Sequence, residues 1–148
     1  MKKIFIGILM IAMVLVSAST ATINLTGTVG NNINISVVEK NLPLDLTVDT
    51  TDLVVGTVTE KSNKDGYSVE ISSDNSGKLI GVNGEELTYT AKYDGVSFNL
   101  SSTAVEVVAS GTKTSGTDKD VSISYSATPY TLSPDTYTDT LTLTIIAN

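Results

Sequence analysis

Apolar and polar residues alternate with a period of two along most of the chain after residue 21. Ile33, Ile35 and Val37 occupy odd positions, and Tyr67, Val69 and Ile71 repeat the pattern. This period is typical of β-strands with one buried face, because successive side chains point to opposite sides of a sheet. Comparable runs lie at residues 42–48, 79–82, 87–93, 96–100, 105–108, 121–125 and 137–145.

Turn residues separate these runs at short, regular intervals. Asp94-Gly95 and Asn83-Gly84 each stand between two alternating runs, which predicts two hairpins with type I′ turns. Residues 110–119 are rich in Gly, Thr and Ser and are predicted to form a loop. Eight or nine short strands without a helix predict one all-β domain over residues 33–148, either a sandwich or a barrel. The size of the domain favours an antiparallel β-sandwich.

The first 21 residues have the three parts of a secretory signal peptide. Lys2 and Lys3 precede an apolar run at residues 4–16, and small residues follow at 17–21. The apolar run is too short for a stable membrane anchor, which needs about 20 residues. We therefore expect a secreted protein whose mature chain begins near Thr20 or Thr22.

The composition narrows the classes of chemistry open to the protein. The 148-residue chain contains no cysteine, histidine, tryptophan or arginine. It therefore lacks the thiolate nucleophile, the usual proton shuttle and the usual zinc ligands. Without the signal peptide, seven lysines face 16 acidic residues, a formal net charge of −9. This balance argues against nucleic acid and anionic lipid as partners.

The carboxylates form no recognisable catalytic or metal-binding motif. Glu85 and Glu86 are adjacent and are expected to point to opposite faces of a strand, whereas Asp118 and Asp120 share a face beside the predicted loop. Asp45, Asp49 and Asp52 do not have the spacing of a calcium loop. We predict no catalytic residues, metal site or cofactor, and a protein that is not an enzyme.

A separate N-terminal extension, residues 22–32, precedes the domain. Ile23, Leu25 and Val29 share one face of this extension, Gly27 lies between them, and residues 30–32 read Gly-Asn-Asn. Two interpretations stay open. The segment is either a donor strand that adds to the sheet edge of a neighbouring subunit, or the first strand of its own domain.

The C-terminal segment resembles the end of chaperone–usher pilins, particularly the archaic group with the spore-coat-protein-U-like domain. The matching positions are Tyr137, Asp139, Leu141, Leu143 and Ile145. Residues 21–29 likewise resemble a pilin donor strand directly behind a signal cut. Two departures are the absence of cysteines and the presence of Asp135-Thr136 where such pilins carry a glycine before the tyrosine.

The resemblance implies an incomplete immunoglobulin-like sandwich that lacks its last strand. A periplasmic chaperone would first supply that strand, an outer-membrane usher would export the subunit, and the next subunit's extension would then replace the chaperone. The expected product is a homopolymeric fimbria on the cell surface that supports adhesion or biofilm formation. The alternatives are a self-contained surface or periplasmic β-sandwich that binds a protein or carbohydrate, and a fibre protein of a non-pilus matrix.

Overall fold

The structure, a computed structural model, describes residues 22–128 and 130–148. The predicted signal peptide, residues 1–21, lies outside the described residues. Those residues contain nine strands and no helix, as the sequence predicts. The strands are β1 (Ile33–Glu39), β2 (Thr50–Ser62), β3 (Tyr67–Ser73), β4 (Lys78–Ile80), β5 (Glu86–Tyr93), β6 (Val96–Phe98), β7 (Val105–Gly111), β8 (Thr114–Tyr125) and β9 (Leu141–Ile146).

The strands form two antiparallel sheets that pack as a sandwich. The larger sheet has the order β1-β2-β8-β5-β4, with β6 also paired to β5, and the smaller sheet has the order β7-β3-β9. In immunoglobulin-type sandwiches one sheet is ordered ABED and the other CFG. Here β1-β2-β8-β5 takes the ABED order, while β3 and β9 take the places of C and F. Within the described part of the chain, no strand lies beside β9 in the place of G.

The two ends of the sandwich differ in charge, and we name them accordingly. The lysine pole carries the β2–β3 turn and the β7–β8 connection, and it is defined by Lys61, Lys64 and Lys113. The acidic pole is formed by the loops at 40–49, 74–77, 81–85, 126–128 and 130–140. Strand β1 runs from the lysine pole to the acidic pole, and β9 runs in the opposite direction.

Inward-facing residues of both sheets form the core in two adjoining clusters. Val58, Val69 and Ile71 are almost completely buried at the centre of the cluster nearer the lysine pole. Leu79, Tyr89 and the neighbouring part of β8 form the cluster nearer the acidic pole. Burial of each such side chain stabilises the fold by about 1.5–3 kcal/mol, so the alternating pattern of the strands specifies which face turns inward.

A buried carboxylate links the two sheets inside the first cluster. Glu60 on β2 is only 2% exposed, and Tyr67 Oη on β3 donates a 2.6 Å hydrogen bond to its Oε2. Tyr93 Oη on β5 donates to the other carboxylate oxygen. Burial, reinforced by the bond to Glu60, raises the pKa of Tyr67 to about 12 and raises that of Tyr93 as well. The carboxylate therefore has two neutral donors in place of a cation.

The two predicted hairpins are both present, but their turns differ. Asp94 and Gly95 have φ of 48° and 77°, and Tyr93 pairs with Val96, which fits the predicted type I′ turn. At the second hairpin only Gly84 has positive φ, and its amide donates to the Gly81 carbonyl. The type I′ prediction for Asn83-Gly84 is therefore wrong, because the loop is longer than two residues.

Two further predictions about strands are wrong. Residues 42–48 form a loop, because Asn41 turns the chain at φ 48° and the Asp45 carboxylate accepts from both the amide and the hydroxyl of Thr47. Residues 114–119, predicted as loop, belong to β8 because they pair with the end of β2. Thr114 and Thr117 there are partly buried opposite Ser62 and Glu60, and their hydroxyls bond to each other.

Candidate functional site

An apolar groove runs between the two sheets at the edge where β1 and β9 face each other. Its volume is about 380 Å³, within the usual range for binding clefts. The walls come from both sheets and from the loop after β1. The aliphatic residues that line the groove are Val37, Leu44, Val55, Leu79, Val121, Ile123, Leu141 and Leu143, and Glu39 and Asp139 add carboxylates.

Strand β9 forms one rim of this groove and has a free edge. It pairs with β3 from Ser68↔Ile146 to Ser73↔Leu141, and no other strand among residues 22–128 and 130–148 pairs with it. Leu141, Leu143 and Ile145 point inward and are partly buried, whereas the intervening threonines are exposed. The outer side of β9 therefore presents unpaired backbone groups directly above an apolar surface.

Asp139 fixes the start of β9 at the acidic pole. Its carboxylate accepts hydrogen bonds from Ser73 Oγ and Tyr89 Oη, both at 2.6 Å, and from the amide of Asn75 at 2.9 Å. Ser73 is fully buried, and Tyr89 is 6% exposed. Burial is the main cause that raises the pKa of Tyr89, and the bond to Asp139 adds to it. This cluster ties the last strand to both sheets.

Tyr137 anchors the loop before β9 rather than belonging to the strand. Its hydroxyl lies 2.7 Å from Glu85 Oε2 and 2.9 Å from the Ser133 carbonyl oxygen, and its single proton can be donated to either acceptor. The ring lies so close to Gly81 that a Cβ there would meet it at 2.9 Å. Hydrogen bonds from Tyr137 and from the amide and hydroxyl of Ser133 lower the pKa of Glu85. The five residues of the C-terminal motif therefore lie along one path: Tyr137 and Asp139 fix the loop and the start of β9, Leu141 and Leu143 line the groove, and Ile145 packs against the first core cluster.

The N-terminal extension lies outside the core of its own domain. Residues 22–32 form no strand, and the side chains of Ile23, Leu25 and Val29 are 87%, 92% and 90% exposed. A Cβ at Gly27 would meet nothing within 4 Å. The extension is attached at the lysine pole, where Asn63 exchanges hydrogen bonds with the main chain of Asn32 and Gly30.

The acidic pairs considered from the sequence have ordinary hydrogen-bond partners. Asp118 and Asp120 lie on β8 and accept from the hydroxyls of Thr59 and Thr57. Glu86 forms an exposed ion pair with Lys78. No group of three or more potential metal ligands occurs within the described ranges. Nor does any helix there have the length and apolarity to cross a membrane.

A second, larger cleft of about 680 Å³ lies at the acidic pole between residues 42–47 and the loop around Leu132 and Tyr137. Its walls are loops, and no strand edge opens into it.

Sequence reasoning named the β9 residues but missed the opposite wall of the apolar groove between the sheets, formed by Val37, Val55 and Val121. Those residues become a wall only through the β1-β2-β8 order of the larger sheet.

Neither the models of known protein families nor the curated proteins contain a match to this chain.

Proposed function

We propose that the chain is the structural subunit of a secreted fimbria and that it polymerises by strand donation. The observation that supports the proposal is the arrangement at the edge of the sandwich where β1 and β9 face each other. There an apolar groove and the free edge of β9 lie open, while an extended apolar segment of the same chain has no place in its own core. A second copy of the chain supplies the complementary part.

The dimensions and side-chain pattern of the extension match the groove. Nine residues from 22 to 30 span about 30 Å when extended, enough to cover the six residues of β9. Ile23, Leu25 and Val29 then share one face. Each buried side chain contributes about 1.5–3 kcal/mol, offset by the cost of ordering the segment and of association. Backbone hydrogen bonds to β9 add to this and satisfy its open edge.

A head-to-tail contact of this kind does not close on itself and therefore generates a filament. The resemblance to chaperone–usher pilins supplies the remaining proposed partners. These are a periplasmic chaperone that fills the groove during export and an outer-membrane usher. Adhesion or biofilm formation at the cell surface is the proposed role of the filament.

The decisive experiment measures binding of a synthetic peptide of residues 22–32 to a chain that lacks residues 22–30. We expect this shortened chain to stay monomeric in sedimentation and to bind the peptide, because it keeps the groove. The same peptide with Leu25→Asp should bind at least ten times more weakly, since a buried carboxylate would be unpaired.

Two matched substitutions on β9 test the location of the binding site. Leu143→Ala removes groove-lining atoms and should weaken peptide binding, whereas Thr144→Ala on the exposed face of the same strand should not. If the full chain and the shortened chain are both monomers and neither responds to peptide, strand donation is wrong. The self-contained sandwich is then the better description.

A further inference from the structure

Charge is distributed unequally between the two ends of the sandwich. The loops of the acidic pole contain six acidic residues and one lysine, Lys40. At the lysine pole, Lys61, Lys64 and Lys113 are all exposed, and the β2–β3 turn also carries Asp65. Lys64 Nζ donates a hydrogen bond to the main-chain oxygen of Asn148. The other lysines after residue 40 are in ion pairs with Glu86, Asp52 and Asp94. The chain therefore has a negative end and a locally positive end despite its negative net charge.

The extension leaves from the positive end. Asn32 is held to Asn63 in the β2–β3 turn at the lysine pole, beside Lys64. Between Val29 and the start of β1 lie only Gly30, Asn31 and Asn32, which span about 10 Å at most. We call the subunit whose groove receives the donated strand the host. The lysine pole of the donating subunit therefore lies close to the end of the host at which the donated strand emerges.

The direction of the donor strand decides which end of the host that is. Strand β9 runs toward the lysine pole. A donor antiparallel to β9 therefore leaves the host at the acidic pole, and opposite charges meet. A donor parallel to β9 would leave at the lysine pole, and two positive ends would meet. Antiparallel pairing is also slightly more stable per residue.

We propose that the lysine pole of one subunit docks on the acidic pole of the next, and that this charge match sets the direction and rate of assembly. The inference rests on the proposed strand donation and adds a second contact surface to it. At an ionic strength of about 0.1 M, charges interact over about 10 Å, the reach of the three-residue linker. Complementary ends of this kind mainly accelerate association and exclude the wrong orientation.

A pair of charge-reversed variants tests the proposal. Lys61→Glu/Lys113→Glu makes both ends of the subunit negative, and Asp45→Lys/Asp49→Lys/Asp74→Lys makes both ends positive. Each variant alone should polymerise at least about tenfold more slowly than the wild-type chain in light scattering. An equimolar mixture of the two should recover most of the rate, because negative ends then meet positive ends in alternating order.

Controls separate this contact from the groove and from net charge. Both variants should bind the peptide of residues 22–32 as the wild-type chain does. Lys40→Glu changes net charge as Lys61→Glu does but lies at the acidic pole, so it should not slow assembly. If the triple variant does not fold, two other measurements replace it. One is the assembly rate of Lys61→Gln/Lys113→Gln, and the other is the assembly rate of the wild-type chain at about 1 M salt, where charges are screened within about 3 Å.

The outcomes distinguish failure of the inference from failure of the proposed function. Wild-type rates for the lysine-pole variants, together with assembly that is insensitive to salt, overturn the charge match while strand donation stands. A wild-type chain that neither assembles nor binds the peptide overturns both. Slow assembly of each variant with recovery in the mixture supports the docking of opposite poles.

Discussion

Replacing Gly111 with alanine should destabilise the domain strongly, although the change adds only one methyl group. A Cβ at this position would lie 2.1 Å from Cζ of Tyr67 and 2.3 Å from its Cε2. Ordinary contact distances for carbon atoms are about 3.5–4.0 Å, so the ring has to move by more than about 1 Å. Tyr67 is buried and bonded to Glu60, so this movement breaks the hydrogen bond that joins the sheets.

The size of the effect follows from two costs and one gain. Overpacking costs about 1–3 kcal/mol, and loss of a hydrogen bond to a charged group costs about 1.5–3 kcal/mol. Replacement of glycine by alanine stabilises the folded state by about 0.4–1 kcal/mol, because it lowers the conformational entropy of the unfolded chain. We expect the free energy of unfolding to fall by about 2–5 kcal/mol, measured by urea denaturation.

A double-mutant cycle identifies the mechanism. Tyr67→Phe alone should cost about 1.5–3 kcal/mol because it removes only the hydroxyl. In the Gly111→Ala background the same change should cost much less, since the bond to Glu60 is already broken. Gly27→Ala is the matched control, because nothing lies within 4 Å of that Cβ. Equal stability of the Gly111 and Gly27 variants, or equal costs of Tyr67→Phe in both backgrounds, would refute the reasoning.

Two further predictions concern alkaline pH and export. The raised pKa of Tyr67, about 12, and the raised values of Tyr89 and Tyr93 mean that folding favours their protonated forms. Their contribution to stability is complete below about pH 10 and is lost as pH rises through the folded-state values. The urea midpoint should therefore fall above about pH 10, and an unchanged midpoint up to pH 12 would contradict the shifts. Mass spectrometry of extracellular material should give a mature N-terminus near Thr20 or Thr22, and a full-length cytoplasmic chain would contradict the signal peptide.

The sequence predicts the class of fold well because the alternation is a local signal. The apolar positions of β1, β3, β5 and β9 all lie where the pattern places them. The alternation pattern does not predict strand β2. Its apolar residues Leu53, Val54 and Val55 are consecutive, and register shifts relative to β8 interrupt the period of two. A bulged strand changes which face it buries, so a search for strict alternation misses it.

The partners of individual polar side chains could not be predicted from the sequence. Glu60 stands in the sequence Thr-Glu-Lys, which is typical of an exposed strand end, yet Tyr67 and Tyr93 make it a buried acceptor. The resemblance to pilins points to Asp139, but the bonds of this residue to Ser73 and Tyr89 depend on contacts across 66 and 50 residues. Such contacts follow from the order of strands in the sheets.

Edge strands supply the final argument for a specific occupant beside β9. Natural sheets protect their edges with charged residues, proline or short strands. In the part of the chain that the structure describes, β7 carries Glu106 and β1 ends on Glu39, while β4 and β6 are three residues long. Strand β9, Leu-Thr-Leu-Thr-Ile-Ile, has none of these devices. An unprotected edge above an apolar groove promotes indiscriminate aggregation, so we expect an occupant to cover it, and the proposed strand donation would supply one in the next subunit's extension.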